Sequence, residues 1–283
     1  MSLLDAVRTS RGTVRLPAPL QRATRAAALR GMVPQPVWRR LQPTGCWTVH
    51  APDGSAFRYE AAQRDIMARW VVWTDLRDWE ESTQPVLFDL ARSARCFLDI
   101  GAFSGIYTLL ACQANPRLRA LAFEPNPATL PMLRRNLELN GLCDRVTVVE
   151  KALSDAPGRA RLTIPYDTTA ASLNDEPAAV DSVEVEVTTA DEIAGDLPVD
   201  LVKIDVEGFE PHILRGMSGL LTTRRPALVA ECLDGPALER LRATAAEFGY
   251  RTVRHLGRGG AVPAGEGFTP PPYYANFLFT HGG

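Results

Sequence analysis

FLDIGAFSGIYT, residues 97–108, decides how the rest of the chain is read. The apolar run CFLDI (96–100) has the length of a buried strand, and GIYTLLACQA (105–114) has the length of a helix. Between them Gly101 and Gly105 flank a turn, with Asp99 two residues before the first glycine. Glycines at a strand-to-helix turn let the backbone bend sharply and approach a ligand closely. The spacing is D-x-G-x-x-x-G, not the G-x-G-x-x-G of dinucleotide sites, whose glycines bring a helix N-terminus to a pyrophosphate. A carboxylate ahead of the glycine suits a cationic ligand and repels a pyrophosphate.

Working outward, RALAFEP (119–125) predicts the next strand and closes on Glu124, 23 residues after Gly101. An acid at that point can accept hydrogen bonds from both hydroxyls of a ribose. A ribose grip beside a cation-favouring turn fits S-adenosylmethionine, which carries a sulfonium and an ammonium and no phosphate. PATLPMLRRNLELNG (127–141) predicts a helix stopped by Asn140-Gly141, and RVTVVEKALSD (145–155) holds a third strand. VDLVKIDVEGFE (199–210), PHILRGMSGLL (211–221), PALVAEC (226–232) and PALERLRATAAEFGY (236–250) continue the strand–helix rhythm. Repeated βαβ units predict an α/β fold on a mostly parallel sheet.

RARLTIP (159–165) and VEVEVTTA (183–190) alternate and predict exposed or edge strands, with a polar loop around Ser172 between them as a candidate lid. YRTVRHL (250–256) and YYANFLFT (273–280) are the last strands, and GRGGAVPAGEGFTPPP (257–272) reads as a flexible loop. Residues 1–85 read as an N-terminal extension or cap and 86–283 as the main domain. The extension is broken by Pro17, Pro19, Pro34, Pro36 and Pro43. It holds a hairpin at 46–60 turning on Asp53-Gly54, and helices carrying Trp70, Trp73 and Trp79. Those tryptophans read as packing, or as the wall of an apolar substrate pocket.

In KIDVEG, Lys203, Asp205 and Glu207 alternate, so they share one face at the carboxyl end of a strand, where ligands bind in such sheets. Asp205 is the candidate base or substrate anchor, also within reach of the cofactor, with Glu207 beside it; a structural ion pair with Lys203 is the alternative. His212 is a further candidate base, although a histidine opening a helix is commonly a surface or capping group. Glu231 ends the next strand and could join the carboxylates. That cluster could instead hold Mg²⁺ or Ca²⁺ through oxygen ligands, but no ligand-spacing motif marks a metal site, and none is expected.

A net charge of −2 and the lack of a basic patch argue against nucleic acid as partner. Cys46, Cys96, Cys112, Cys143 and Cys232 are odd in number and scattered, which predicts free, buried thiols. No apolar run is long enough for a membrane span and the N-terminus lacks a secretory h-region, so a cytoplasmic location is expected. A homo-oligomer is left open.

The segments LDIGAFSGIYT (98–108), FEPNP (123–127), RRNLELNG (134–141), KALSD (151–155), LVKIDVEGFEPHILRGM (201–217) and PALVAEC (226–232) stand in the order found in the FkbM family of methyltransferases, which this chain resembles over about half its length. The resemblance implies a Rossmann-like class I methyltransferase fold, with a seven-stranded, mostly parallel sheet and an antiparallel last strand. It implies that Asp99, Gly101, Ala102 and Gly105 surround the methionine part of S-adenosylmethionine. Glu124 would hold the ribose with Asn126 beside it, and Ala152 and Leu153 would lie near the adenine. The acceptor it implies is a small-molecule hydroxyl, on a sugar or polyketide. Phe103 stands where the family's loop often carries Asn, and Ala190 where Leu is common. The rival readings are N-methyl transfer, an NAD-type oxidoreductase disfavoured by the turn spacing, and a cofactor-binding protein without turnover.

Overall fold

The computed structural model describes residues 14–62, 65–165, 179–206, 208–232, 234–258, 260–271 and 275–282. Two compact units emerge, one ending at Glu81 and one beginning at Ser82. Among the described residues no helix is long and apolar enough to cross a membrane.

The first unit holds β1 (Val14–Arg15), α1 (Ala18–Ala28), α2 (Gln35–Trp38), β2 (Leu41–Gln42), the hairpin β3 (Gly45–His50) and β4 (Ala56–Ala61), and α3 (Met67–Thr74). Four of the five prolines expected to interrupt this region, Pro17, Pro19, Pro34 and Pro36, instead start its helices. Pro19 and Pro36 sit in the first turns of α1 and α2, where a missing N–H costs nothing. Asp75 ties the unit together, accepting from Arg25 Nη2 (3.0 Å), from the His50 N–H (3.1 Å) and pairing with His50 Nδ1 (2.8 Å). Trp73 is fully buried, donates to Leu41 O (2.8 Å) and meets Trp47 edge-on; Trp70 meets Trp38 the same way. These rings pack this unit's own interior.

The second unit begins with α4 (Thr83–Ala91) and β5 (Cys96–Ile100), followed by α5 (Ile106–Ala114), β6 (Arg119–Phe123), α6 (Leu130–Leu139) and β7 (Val146–Val149). β8 (Ala152–Leu153), β9 (Gly158–Pro165), β10 (Ala179–Thr188) and α7 (Ala190–Ala194) come next. β11 (Val199–Ile204), α8 (Glu210–Gly216), α9 (Ser218–Thr223), β12 (Ala227–Glu231), α10 (Gly235–Glu247), β13 (Tyr250–Gly257), β14 (Gly260–Pro263) and β15 (Asn276–His281) complete it.

The main sheet runs β14-β13-β15-β12-β11-β5-β6-β7. β7, β6, β5, β11 and β12 are parallel, and the last strand, β15, enters antiparallel between β12 and β13. Every residue of β5 is buried, as expected of a strand covered on both faces. The sheet has eight strands, not seven. The extra one is β14, in the segment read as loop: Gly260–Pro263 folds back on β13, and Pro263 is tolerated because it lies on an edge. β9 and β10 pair with each other and, through β8, form a separate three-stranded sheet. The loop around Ser172 lies outside the described residues. Cys96, Cys112 and Cys232 are buried free thiols as expected, but Cys143 is exposed.

Candidate active site

The glycine turn is held from three sides. Gly105 has no side chain with which to cap α5, so Asp99 does it from the strand end, its Oδ2 accepting from Thr108 N (2.9 Å) and Thr108 Oγ1 (2.6 Å). Behind the turn, buried Asn136 of α6 donates to Ser104 O (2.8 Å). In front, Gly101 packs backbone to backbone on the tip of β11: an added Cβ would stand 1.9 Å from Asp205 O, and Asp205 N donates to Ile100 O (3.0 Å). Phe103 is drawn into the left-handed region (φ 49°), which a bulky residue adopts only under constraint. The constraint is its N–H, which donates to Glu124 Oε2 (2.8 Å).

Glu124 ends β6 buried, and its other oxygen accepts from Asn126 N (2.8 Å). A carboxylate has about four lone-pair sites, so acceptor capacity remains for further hydroxyls. Burial raises the Glu124 carboxyl above its ordinary value. Burial likewise pushes Asp99 up to about 6, against the Thr108 bonds and the nearby Lys203 charge.

Lys203 is wholly buried; its Nζ donates to Asp205 Oδ2 (3.1 Å) and stands 5.3 Å from the centre of the Tyr107 ring. Burial alone would raise the Asp205 carboxyl. The Lys203 charge, with hydrogen bonds from Glu231 and Lys203, outweighs it and holds Asp205 below the usual carboxylate range. The ion pair weighed as an alternative is therefore present, and it leaves the Asp205 side chain 30% exposed.

The structure thus brings Asp99, Gly101, Ala102, Gly105, Glu124, Asn126 and Asp205 to one rim, at the carboxyl ends of β5, β6 and β11. Among the described residues no contact brings His212 there. That ring stacks on Phe209 (4.5 Å) and pairs with Asp155 (3.1 Å), 45% exposed, and holds Asp155 below its ordinary value. The Ala152 side chain packs with Leu162, Val185 and Val187 of the smaller sheet, and Leu153 joins the main core, so only their backbone is free to face an adenine. Glu207 lies outside the described residues. Several participants were not named from the sequence, Ser104 of the turn and Asn136 behind it among them. Tyr107 and Thr108 lie inside the quoted motif but gain their roles only from neighbouring strands. Glu210, buried at the start of α8, accepts from Gly208 N (3.0 Å) and so fixes the backbone after KIDVE.

Two buried donors at the rim, Ser104 Oγ and Asn126 Nδ2, have no hydrogen-bond partner among the described residues. Leaving such a group unmet costs about 1–3 kcal/mol, so a polar ligand there is favoured. With the open lone pairs of Glu124 and the carboxylates of Asp99 and Asp205, the donor set fits a cationic nucleoside. Among the described residues no group of three or more His, Cys, Asp and Glu is arranged to hold a metal.

A mostly parallel sheet whose last strand enters antiparallel between β12 and β13, a capped glycine turn after its central strand and a buried acid after the next define the class I methyltransferase fold. The chain belongs to the FkbM methyltransferase family: the methyltransferase FkbM domain matches residues 99–252. The domain is therefore that of an S-adenosylmethionine-dependent methyltransferase, and S-adenosylmethionine is its cofactor. Methyltransferase 1 of Beauveria bassiana is 29% identical over 142 residues, 42% of this chain and 57% of that one. Hexuronic acid methyltransferase AglP of Haloferax volcanii is 27% identical over 168 residues, 57% of this chain and 66% of that one. The chain matches less than two thirds of either relative's length. Among solved structures, methyltransferase FkbM from Methylobacillus flagellatus KT is similar with a TM-score of 0.49 at 18% identity, over 78% of this chain and 56% of that one.

Proposed function

We propose that the protein transfers a methyl group from S-adenosylmethionine to a hydroxyl of a small molecule, a sugar, sugar acid or polyketide alcohol. The observation that carries this is the joining of Asp99, Glu124 and Asp205 around one glycine turn, with two unmet buried donors beside them. When bound, the cofactor supplies a methyl on a sulfonium, transferred in line as the carbon–sulfur bond breaks and sulfur keeps the electron pair.

The chain's own residues do the rest. Glu124 and Asn126 hold the ribose, Ser104 donates into the site, and the ionised carboxylates favour the cationic end of the ligand. Alignment of the reacting atoms can supply about 7–11 kcal/mol of the barrier. Asp205 anchors the acceptor hydroxyl. Its pairing with Lys203 keeps it ionised and weakly basic, which suits a hydrogen-bond acceptor better than a proton acceptor. The sugar-acid option is supported by the acceptor in the name of the Haloferax volcanii relative.

The test is calorimetry with S-adenosylmethionine against NADH, then S-adenosylhomocysteine release over glucuronic acid, neutral sugars, polyketide alcohols and matched amines. The expected result is S-adenosylmethionine binding, no NADH binding, and turnover confined to hydroxyl acceptors. NADH binding, or turnover with amines alone, would overturn it.

A further inference from the structure

Asp205 has two partners, and the second is the informative one. Besides Lys203 it hydrogen-bonds Glu231, at the carboxyl end of β12. The two strands are adjacent and in register, with Ile204 opposite Ala230, so the residue after each pairing faces the other across the rim. Glu231 is half-buried, and on its far side it stands opposite Asn276 of β15. The charged groups gathered about this end of β12 are Lys203, Asp205, Glu210 and Asp234.

A hydrogen bond between two carboxyls needs a proton on one of them. Lys203 donates to Asp205, which fixes Asp205 as the anion and leaves the proton on Glu231. Two carboxylates in contact cannot both ionise at their ordinary values; the pair titrates in two steps, one of them displaced upward. A carboxylate displaced toward neutrality is a far better proton acceptor than Asp205.

We propose that Asp205 and Glu231 form a proton-sharing pair, and that Glu231 is the base that receives the acceptor's hydroxyl proton. This rests on the methyl-transfer reading above. In the step, a lone pair of the hydroxyl oxygen forms the new carbon–oxygen bond, and the O–H bond breaks with its proton passing to the Glu231 carboxylate. The protonated Glu231 then donates to Asp205 across the rim. Loss of the proton to solvent, at the exposed side of the pair, resets it.

The pair can be read without an acceptor. In protein labelled with ¹³C at Asp and Glu side-chain carboxyls, followed by NMR across pH 3–9, one coupled pair should appear. Its upper step should lie clearly above the ordinary range near about 4. Glu231→Gln should abolish that step. Asp205→Asn should move it down into the ordinary range, because the neighbouring charge is gone. With whichever hydroxyl acceptor is turned over, Glu231→Gln should lower kcat by at least about 100-fold. It should also remove the rising limb of the kcat–pH profile while leaving S-adenosylmethionine affinity within twofold. Glu231→Asp, which keeps a carboxyl, should retain part of both. A wild-type titration with no raised step that Glu231→Gln removes, or an unchanged kcat–pH profile in Glu231→Gln, overturns the proposal. Lack of turnover with an intact upper step would count against the methyl-transfer reading instead.

Discussion

At the scale of single residues, the turn after Asp99 is built so tightly that its substitutions have separable outcomes. Gly101 lies at φ 82° with Asp205 O where a Cβ would go, so Gly101→Ala adds both strain and overlap with backbone that cannot move aside. We expect it to cost several kcal/mol, beyond the about 1–3 kcal/mol of ordinary overpacking, and to abolish S-adenosylmethionine binding. A calorimetric isotherm like that of the wild type would contradict this account. Phe103 is the reverse case. Its left-handed backbone costs about 1–2 kcal/mol, which Asn tolerates far better because its short side chain bonds locally. Phe103→Asn should therefore raise the melting temperature by a few degrees, provided the N–H to Glu124 is kept. A lowered melting temperature would mean that the half-buried ring contributes more than the strain removes.

Among the elements, what could be read in advance was what is local. LDIG, FEPNP and the alternation of Lys203 and Asp205 are short patterns whose geometry a single strand and turn dictate, and the structure assembles them at one rim. What escaped depends on strand order. Ala152 turns inward only because β10 pairs with β8, and while Glu231 could be read as a candidate to join the carboxylates, its place beside Asp205 comes only from β12 lying next to β11. β14 was missed because glycine and proline mask a four-residue strand that an edge position permits. Helix junctions are similarly non-local. Asp191 of α7 accepts from Gly219 N (2.7 Å) and Leu220 N (2.9 Å), capping α9 from 28 residues away. Asp191→Ala should destabilise by about 1–2 kcal/mol, as loss of a helix cap does, in thermal unfolding. S-adenosylmethionine affinity should stay unchanged, since no site residue is touched; a weakened affinity would show that α9 supports the site after all.

For the whole molecule, the buried acids set a pH dependence opposite to the usual one. Burial pushes Asp65 up to about 6 against its Tyr59 and Ala68 bonds, as it does Asp99, and it raises Glu124 and Glu210 as well. A carboxyl with a raised value binds its proton more tightly folded than unfolded. Between the unfolded value near 4 and the folded value near 6, the native state therefore carries more protons, and stability falls as pH rises through that window. Each unit of displacement is worth about 1.4 kcal/mol. The exposed pairs that lower Asp155, Glu186 and Asp200 act the other way, but only below about pH 4, where those acids protonate. The free protein should thus melt at a higher temperature at pH 5 than at pH 7.5, and Asp65→Asn should reduce the difference. A cationic ligand reverses the sign at Asp99, because it favours the ionised carboxylate. S-adenosylmethionine should therefore bind more weakly as pH falls through about 6, and raise the melting temperature more at pH 7.5 than at pH 5. Asp99→Asn should flatten that second dependence and leave the first largely in place, since Asp65 still drives it. An equal ligand-induced shift at both pH values in the wild type would mean that Asp99 does not feel the ligand's charge and acts only as the cap of α5.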